Sequence, residues 1–254
     1  MGLNWHLIQA KIGILCVSQV GLFTTLKTIW RSYYVGINRL YASKLFDIEI
    51  PPSWGLQQLK SLDMNVMPEY SRYSSDLSSA ACVVDAGAGV GEYAVYCAKK
   101  FGCKVYAFEP VHLRYQAAKE LADYNKVDIA LFNCGLSDVE SIMSVPNGIS
   151  MAGLGVDNKS AELPLVETRT LDGLNLEKLD VFKIDTEGYE LPILKGAMHT
   201  ITEFKPEVIV EVHGSENKEK VLALLDSIGY KIIYRNRAEK TPYFDTVQTF
   251  VLTV

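Results

Sequence analysis

The chain has 254 residues, of which 48% are hydrophobic and 22% charged, which suits one α/β domain with an appendage and excludes a disordered or fibrous protein. A formal charge of −5 gives no overall pull toward phosphate backbones, so a nucleic-acid acceptor is disfavoured; it would need a local basic patch that the sequence does not display. The cysteines Cys16, Cys82, Cys97, Cys103 and Cys134 form no CxxC pair and read as buried free thiols of a reducing, cytoplasmic compartment.

In chain order, the first feature is an uncharged run of 15 residues, 12–26, between Lys11 and Lys27. That is shorter than the roughly 20 residues of a spanning helix, and no cleavage site follows it, so neither a membrane span nor a signal peptide is expected. Ile8, Ile12, Leu15, Gln19, Leu22, Leu26, Ile29, Tyr33 and Leu40 keep a spacing of three and four, which predicts amphipathic helices with one apolar face. That face is expected to pack on the parent domain, with a membrane surface or a dimer contact as the alternatives. Pro51-Pro52 and the serine-rich run 70–80 then punctuate the chain. They predict a helical N-terminal region, 1–75, and a core domain, 76–254.

Strands are predicted at 81–85, 104–109, 128–133, 181–185, 207–212, 231–234 and 246–253, and helices at 93–101, 113–125, 190–200 and 218–228. Strand and helix in repetition mean a mostly parallel sheet covered on both faces, with ligands at the carboxyl ends of the strands. The last two strands have no helix between them, so the sheet is expected to end in an antiparallel pair.

The first strand runs into Asp85-Ala-Gly87-Ala-Gly89-Val-Gly91. A dinucleotide fold has its glycines at G-x-G-x-x-G and its acid about 20 residues on; here the spacing is G-x-G-x-G, an acid precedes it, and Glu109 ends the second strand. Glycines let a backbone approach a ligand closely. The frame suits S-adenosylmethionine, with Asp85 accepting from its α-ammonium, directly or through water, and Glu109 taking both ribose hydroxyls through its two oxygens. A helix cap for Asp85 and a solvated strand end for Glu109 are the plainer alternatives.

The segments VVDAGAGVGEY, AFEP, NCGLSD, TRTLD, FKIDTEGYELPILKGA and PEVIVEVHG together resemble the FkbM-type methyltransferases of the class I, Rossmann-like S-adenosylmethionine fold, over about residues 65 to 215. The resemblance implies methyl transfer, commonly to an oxygen of a sugar, glycan or other hydroxylated small molecule. It implies a cofactor site of Asp85, Gly87, Ala88, Gly89, Gly91, Tyr93, Glu109, Pro110, Asn133, Cys134 and Asp185. Asn133 stands where a polar side chain meets the adenine amino group, and the Cys134 N–H reaches the ring. Asp185 closes the fourth strand beside the methyl donor, and Lys183 shares its face.

A hydroxyl is a poor nucleophile, so a base that removes its proton contributes typically 10²–10⁴-fold. The candidates are Asp185, Glu187, Glu211 and His213, with Lys183 beside them; Glu211 and His213 share one strand face. His213 as a purely structural histidine is the alternative. Mg²⁺ could be held beginning with Asp185 and Glu187, but no third ligand identifies itself, so no metal is assigned. Gly188 is expected to permit a tight turn, Glu187 or Glu190 to cap the next helix, and Tyr189 to line an acceptor pocket or to pack. His6, His112 and His199 read as surface or structural. A lipid-linked, protein or nucleic-acid acceptor and a non-catalytic interaction module remain as alternatives.

Overall fold

Val83, Val84, Val105, Phe182, Ile184, Val208, Ile209 and Val210 stand in runs that are apolar on both faces and too short for helices, and such runs are satisfied only inside a covered sheet. A computed structural model places all of them at 1% exposure or less. It describes residues 47–55, 77–79, 81–144, 165–241 and 243–254, with isolated positions 36, 40, 43, 44, 58, 59 and 62 before them. The helical face expected over 8–40 lies outside the described residues apart from positions 36 and 40, and the 70–80 punctuation lies outside them apart from 77–79.

Strand β1 (Cys82–Ala86) leads to α1 (Glu92–Phe101), β2 (Lys104–Phe108), α2 (His112–Asn125) and β3 (Ala130–Phe132). A small second sheet follows, with β4 (Gly135–Leu136), β5 (Ser141–Ser144) and β6 (Leu165–Arg169) in the order β4-β6-β5. The chain then returns through β7 (Val181–Asp185), α3 (Glu190–Lys195), α4 (Met198–Phe204), β8 (Glu207–His213), α5 (Ser215–Ser227), β9 (Lys231–Arg235) and β10 (Val247–Thr253). The main sheet has seven strands in the order β3-β2-β1-β7-β8-β10-β9. Its first five are parallel, and β10 runs antiparallel to both β8 and β9.

Alternate residues of each strand serve opposite cores. Val83, Val105 and Ile209 pack with α1 and α2, while Val84, Phe182 and Val210 pack with α3, α4 and α5. The stretch before the sheet joins the first layer: Ile48, Ile50 and Trp54 are buried there, and the Trp54 indole N–H donates to Glu120 at 3.1 Å. Among the described residues no helix is long and apolar enough to cross a membrane.

The α/β class, the mostly parallel sheet and the antiparallel pair that ends it are as the sequence predicts; the structure adds the strand order and differs in three details. β10 inserts between β8 and β9, because its Phe250-Val251-Leu252 run is buried on both faces while Ile232 and Ile233 of β9 are 43% and 53% exposed at the sheet edge. β3 is shorter than expected and leaves Asn133 beyond its end. The small second sheet carries no predictive pattern in two- to five-residue strands. The helix expected over 190–200 breaks in two at Gly196 and Ala197.

That break has a packing cause. A Cβ on Gly196 would stand 1.8 Å from the Ser137 carbonyl oxygen, although its φ of −78° suits any residue. Gly196→Ala therefore forces the exit of β4 outward without backbone strain, and we expect a loss of about 1–3 kcal/mol. Urea unfolding reads it as a lower midpoint; an unchanged midpoint would contradict this packing.

Candidate active site

The carboxyl ends of β1, β2, β7 and β8 meet at one edge of the sheet, and the glycine turn after β1 shows how tightly. Gly87, Gly89 and Gly91 all have positive φ, at 77°, 58° and 88°, but only one of them leaves space. A Cβ on Gly87 would lie 1.9 Å from the Asp185 carbonyl oxygen, and one on Gly91 would lie 2.9 Å from the Ala118 Cβ, so both serve contacts within the protein. A Cβ on Gly89 would meet nothing nearer than a Glu92 oxygen at 4.0 Å. The Gly87 and Ala88 N–H groups both donate to the Phe108 carbonyl, at 3.0 and 2.9 Å, which ties the turn to the end of β2.

Glu109 follows β2 and stands beside this opening. One carboxylate oxygen accepts from the Gly89 N–H at 2.9 Å and the other from the Val111 N–H at 2.8 Å. Burial pushes its carboxyl up to about 7, against the opposing pull of the Arg114 guanidinium and the two N–H donors. Asn133 is committed to this same corner: its amide N–H donates to the Glu109 and Pro110 carbonyls at 2.9 and 3.2 Å, and its oxygen meets His112 Nδ1 at 2.8 Å. Ala88, Tyr93 and Cys134 are buried, and burial pushes the Cys134 thiol up to about 11, so it is no nucleophile.

Asp85 has no exposed surface and faces Lys183, whose Nζ lies 2.9 Å from Asp85 Oδ1, 3.0 Å from the Gly87 carbonyl and 3.8 Å from Asp185 Oδ2. Burial pushes the Asp85 carboxyl up while the Lys183 ammonium opposes it. Burial acts downward on Lys183, but Asp85 and Asp185 outweigh it and hold the ammonium above the ordinary lysine range. Of the three, Asp185 is the one partly open, with 19% of its side chain exposed against 5% for Lys183.

Asp185 of β7 stands directly across from Glu211 of β8 in the parallel register. Glu211 accepts from Thr249 Oγ1 at 3.1 Å, and its other oxygen lies 3.5 Å from His213 Nε2. His213 Nδ1 is 3.0 Å from Glu190 Oε1, and the ring sits 4.9 Å from that of Phe244. Burial acts downward on the His213 ring, but the bond to Glu190 and the charges of Asp185, Glu190 and Glu211 outweigh it and push it up to about 9. At neutral pH the ring is therefore an imidazolium with both nitrogens turned to carboxylates, and it cannot take up a proton. A nitrogen of His213 and one oxygen each of Asp185 and Glu211 lie within 4.8 Å of one another. The ring's charge offsets the like charges facing each other across the strands.

Asp185 and Glu187, the two acids with which a metal site could begin, turn to different partners. Glu187 takes a left-handed φ of 53° and turns toward Arg114 at 3.8 Å, while Asp185 faces Glu211 and His213. Gly188, at φ 105°, makes the tight turn as expected. Tyr189 bonds to Ser137 and Met143 at 3.4 and 3.3 Å and packs. Glu190, Arg114, Thr249 and Phe244 belong to the site without having been singled out for it. Thr249 becomes visible only through the antiparallel register that sets it opposite Glu211.

The raised His213 value has a stability consequence. Its folded value of about 9 exceeds the ordinary 6.5, so its contribution is complete below pH 6.5 and is lost as pH rises through 9. We expect the urea midpoint to fall across that window and the fall to flatten in His213→Gln. A wild-type midpoint as high at pH 9.5 as at 6.5 would contradict the network.

The sequence profile of the family described as the methyltransferase FkbM domain matches residues 85–232. Methyltransferase sdnD of Sordaria araneosa is 28% identical over 208 residues, which cover 66% of this chain and 80% of that protein. The hexuronic acid methyltransferase AglP of Haloferax volcanii is 28% identical over 164 residues, covering 61% of this chain and 66% of that protein. The crystal structure of methyltransferase FkbM from Methylobacillus flagellatus superposes with a TM-score of 0.48 at 21% identity, covering 87% of this chain and 60% of that one. The chain thus spans just under two thirds of the Haloferax protein and three fifths of the Methylobacillus chain.

Proposed function

The chain belongs to the FkbM methyltransferase family, and from that premise we propose that it transfers the methyl group of S-adenosylmethionine to a hydroxyl oxygen of a sugar, glycan or similar hydroxylated compound. The observation that carries this reading is the corner of Gly89 and Glu109. Of the three glycines of the turn after β1, the one with open space at its missing Cβ lies beside a carboxylate whose two oxygens are fixed at 2.9 and 2.8 Å by backbone N–H groups. Such a carboxylate has lone pairs left for two vicinal hydroxyls, which a ribose presents.

When bound, S-adenosylmethionine supplies an electrophilic methyl on a cationic sulfonium. Glu109 holds the ribose hydroxyls and Gly89 lets the backbone come near. The Asn133 amide N–H groups are bonded to the Glu109 and Pro110 carbonyls, which leaves Oδ1, beside His112, a lone pair to accept from the adenine amino group, and the Cys134 N–H would reach the ring. Asp85 acts through Lys183, which braces Gly87 and Asp185. As the acceptor oxygen gains the methyl, its proton passes to Asp185, the open carboxylate of the cluster; the imidazolium of His213 is already protonated.

Two carboxylates facing each other in register favour a neutral hydroxyl over an anionic acceptor group, which they would repel. The hexuronic acid named for the Haloferax relative carries both kinds of oxygen and supports a saccharide as the acceptor class. We place the catalytic domain at 76–254 and an N-terminal region before it, as the packing of Ile50 and Trp54, in the described stretch 47–55, on the α1–α2 layer supports. Buried free thiols at Cys82, Cys97, Cys103 and Cys134 support a reducing, cytoplasmic setting.

The test is incubation with methyl-labelled S-adenosylmethionine and pools of neutral saccharides and uronic acids. Label is expected in base-stable ethers. Label confined to base-labile esters would overturn the hydroxyl assignment, and bound cofactor with no label in any pool would favour a non-catalytic module.

A further inference from the structure

Glu190 is the most completely enclosed carboxylate of the region outside the Asp85–Lys183 pair, at 0% exposure, and no part of the cofactor reading uses it. Its Oε1 accepts from the Gly188 N–H at 2.8 Å, His213 Nδ1 at 3.0 Å and Thr186 Oγ1 at 3.5 Å. Its Oε2 accepts from Asn217 Nδ2. The first and third of these donors lie in the turn after β7, but His213 ends β8 and Asn217 lies in the first turn of α5. A carboxylate in the first turn of a helix ordinarily serves its own helix end; this one also reaches residues 23 and 27 positions further along.

The consequence falls on the His213 ring. With Nδ1 bonded to Glu190, the opposite nitrogen points to Glu211 at 3.5 Å, and Phe244 at 4.9 Å stands against the ring and limits its tilt. Asp185 faces Glu211 from the next strand. A histidine nitrogen engaged by a carboxylate is the ordinary means of setting which way the other nitrogen faces.

We propose that Glu190 is a positioning residue, which fixes the His213 ring through Nδ1 so that Nε2 holds Glu211 and Asp185 in the arrangement that receives the acceptor's proton. This rests on the methyl-transfer reading above. Burying a carboxylate with a histidine adds little stability over an apolar pair of the same shape, so a role in setting geometry explains the arrangement better than a role in holding the fold.

The test compares the full-length wild type, Glu190→Gln, Glu190→Ala, His213→Ala and the double variant Glu190→Ala/His213→Ala. Glu190→Ala is expected to lower kcat by about 10²-fold with the acceptor KM changed by less than ~3-fold, the split that marks a loss confined to the transition state. Affinity for S-adenosylhomocysteine stays unchanged. Glu190→Gln recovers most of the rate, because its amide oxygen can still accept from Nδ1, and the double variant is no slower than His213→Ala. Losses that add in the double variant, or a parallel fall in cofactor affinity and kcat, would overturn the proposal in favour of a structural role. ¹⁵N spectra of the imidazole give a readout without turnover: the protonated Nδ1 signal of His213 is expected in the wild type and Glu190→Gln and displaced in Glu190→Ala. If the wild type methylated no acceptor, the proposed function would fail; an undisplaced Nδ1 signal would separately overturn the role of Glu190.

Discussion

Glu109→Ala is expected to lower the affinity for S-adenosylmethionine by about 10²–10⁴-fold, because it removes two hydrogen bonds to a charged acceptor, each worth about 1.5–3 kcal/mol. The same carboxylate holds the Gly89 and Val111 N–H groups, so the alanine variant also loosens the turn. Glu109→Gln separates the two effects: its amide oxygen still accepts one backbone N–H, and an intermediate loss of about tenfold is expected. Burial sets a further mark on this residue. With its carboxyl pushed up to about 7, Glu109 is ionised above that pH and protonated below it. Wild-type affinity therefore falls as pH drops from 8 to 6 and stays level in Glu109→Gln, as calorimetry at each pH would show. Equal affinity in the wild type and Glu109→Ala would remove Glu109 from the cofactor site.

Lys183→Met produces the largest loss of stability, about 3–5 kcal/mol, because it leaves Asp85 charged and unpaired where no water reaches it. The pair contact is 2.9 Å and the Asp85 carboxylate is wholly enclosed. Adding Asp85→Asn to Lys183→Met removes the orphaned charge and is expected to restore most of the loss, because an uncharged pair of similar shape is close to neutral. Denaturant unfolding measures all three. A single variant within about 1 kcal/mol of the wild type would mean that Lys183 does not carry the charge balance of the turn, since exposed pairs contribute that little.

The parts of the site legible in the sequence are those that lie at fixed offsets from strand ends. Asp85, Glu109, Asp185 and Glu211 all reach the carboxyl edge of the sheet because short apolar runs end beside them, and runs of that kind announce themselves. What the glycines do was not legible. Gly87, Gly89 and Gly91 look alike in sequence, yet the Asp185 carbonyl and Ala118 fill the space at two of them and leave the third open. Partner choice was equally hidden. Asn133 satisfies the carbonyls of its own corner, Lys183 closes on Asp85, and Glu190 reaches His213 across 23 residues, each set by a register or turn that periodicity does not encode. The tail illustrates the same limit: two strand-like runs imply an antiparallel pair, but only the burial of Phe250 and Leu252 against the exposure of Ile232 and Ile233 decides which is the edge. Gly196 is the remaining case, a helical residue by pattern whose neighbour Ser137 directly follows a strand two residues long.

The most direct measurement is a calorimetric titration of the wild-type protein with S-adenosylmethionine and S-adenosylhomocysteine, run with Mg²⁺ and again with EDTA. One saturable site for each ligand, mutually competitive and indifferent to the metal, is the predicted result. A folded protein that takes up neither ligand would contradict the account at its centre and leave the Gly89–Glu109 corner as architecture alone.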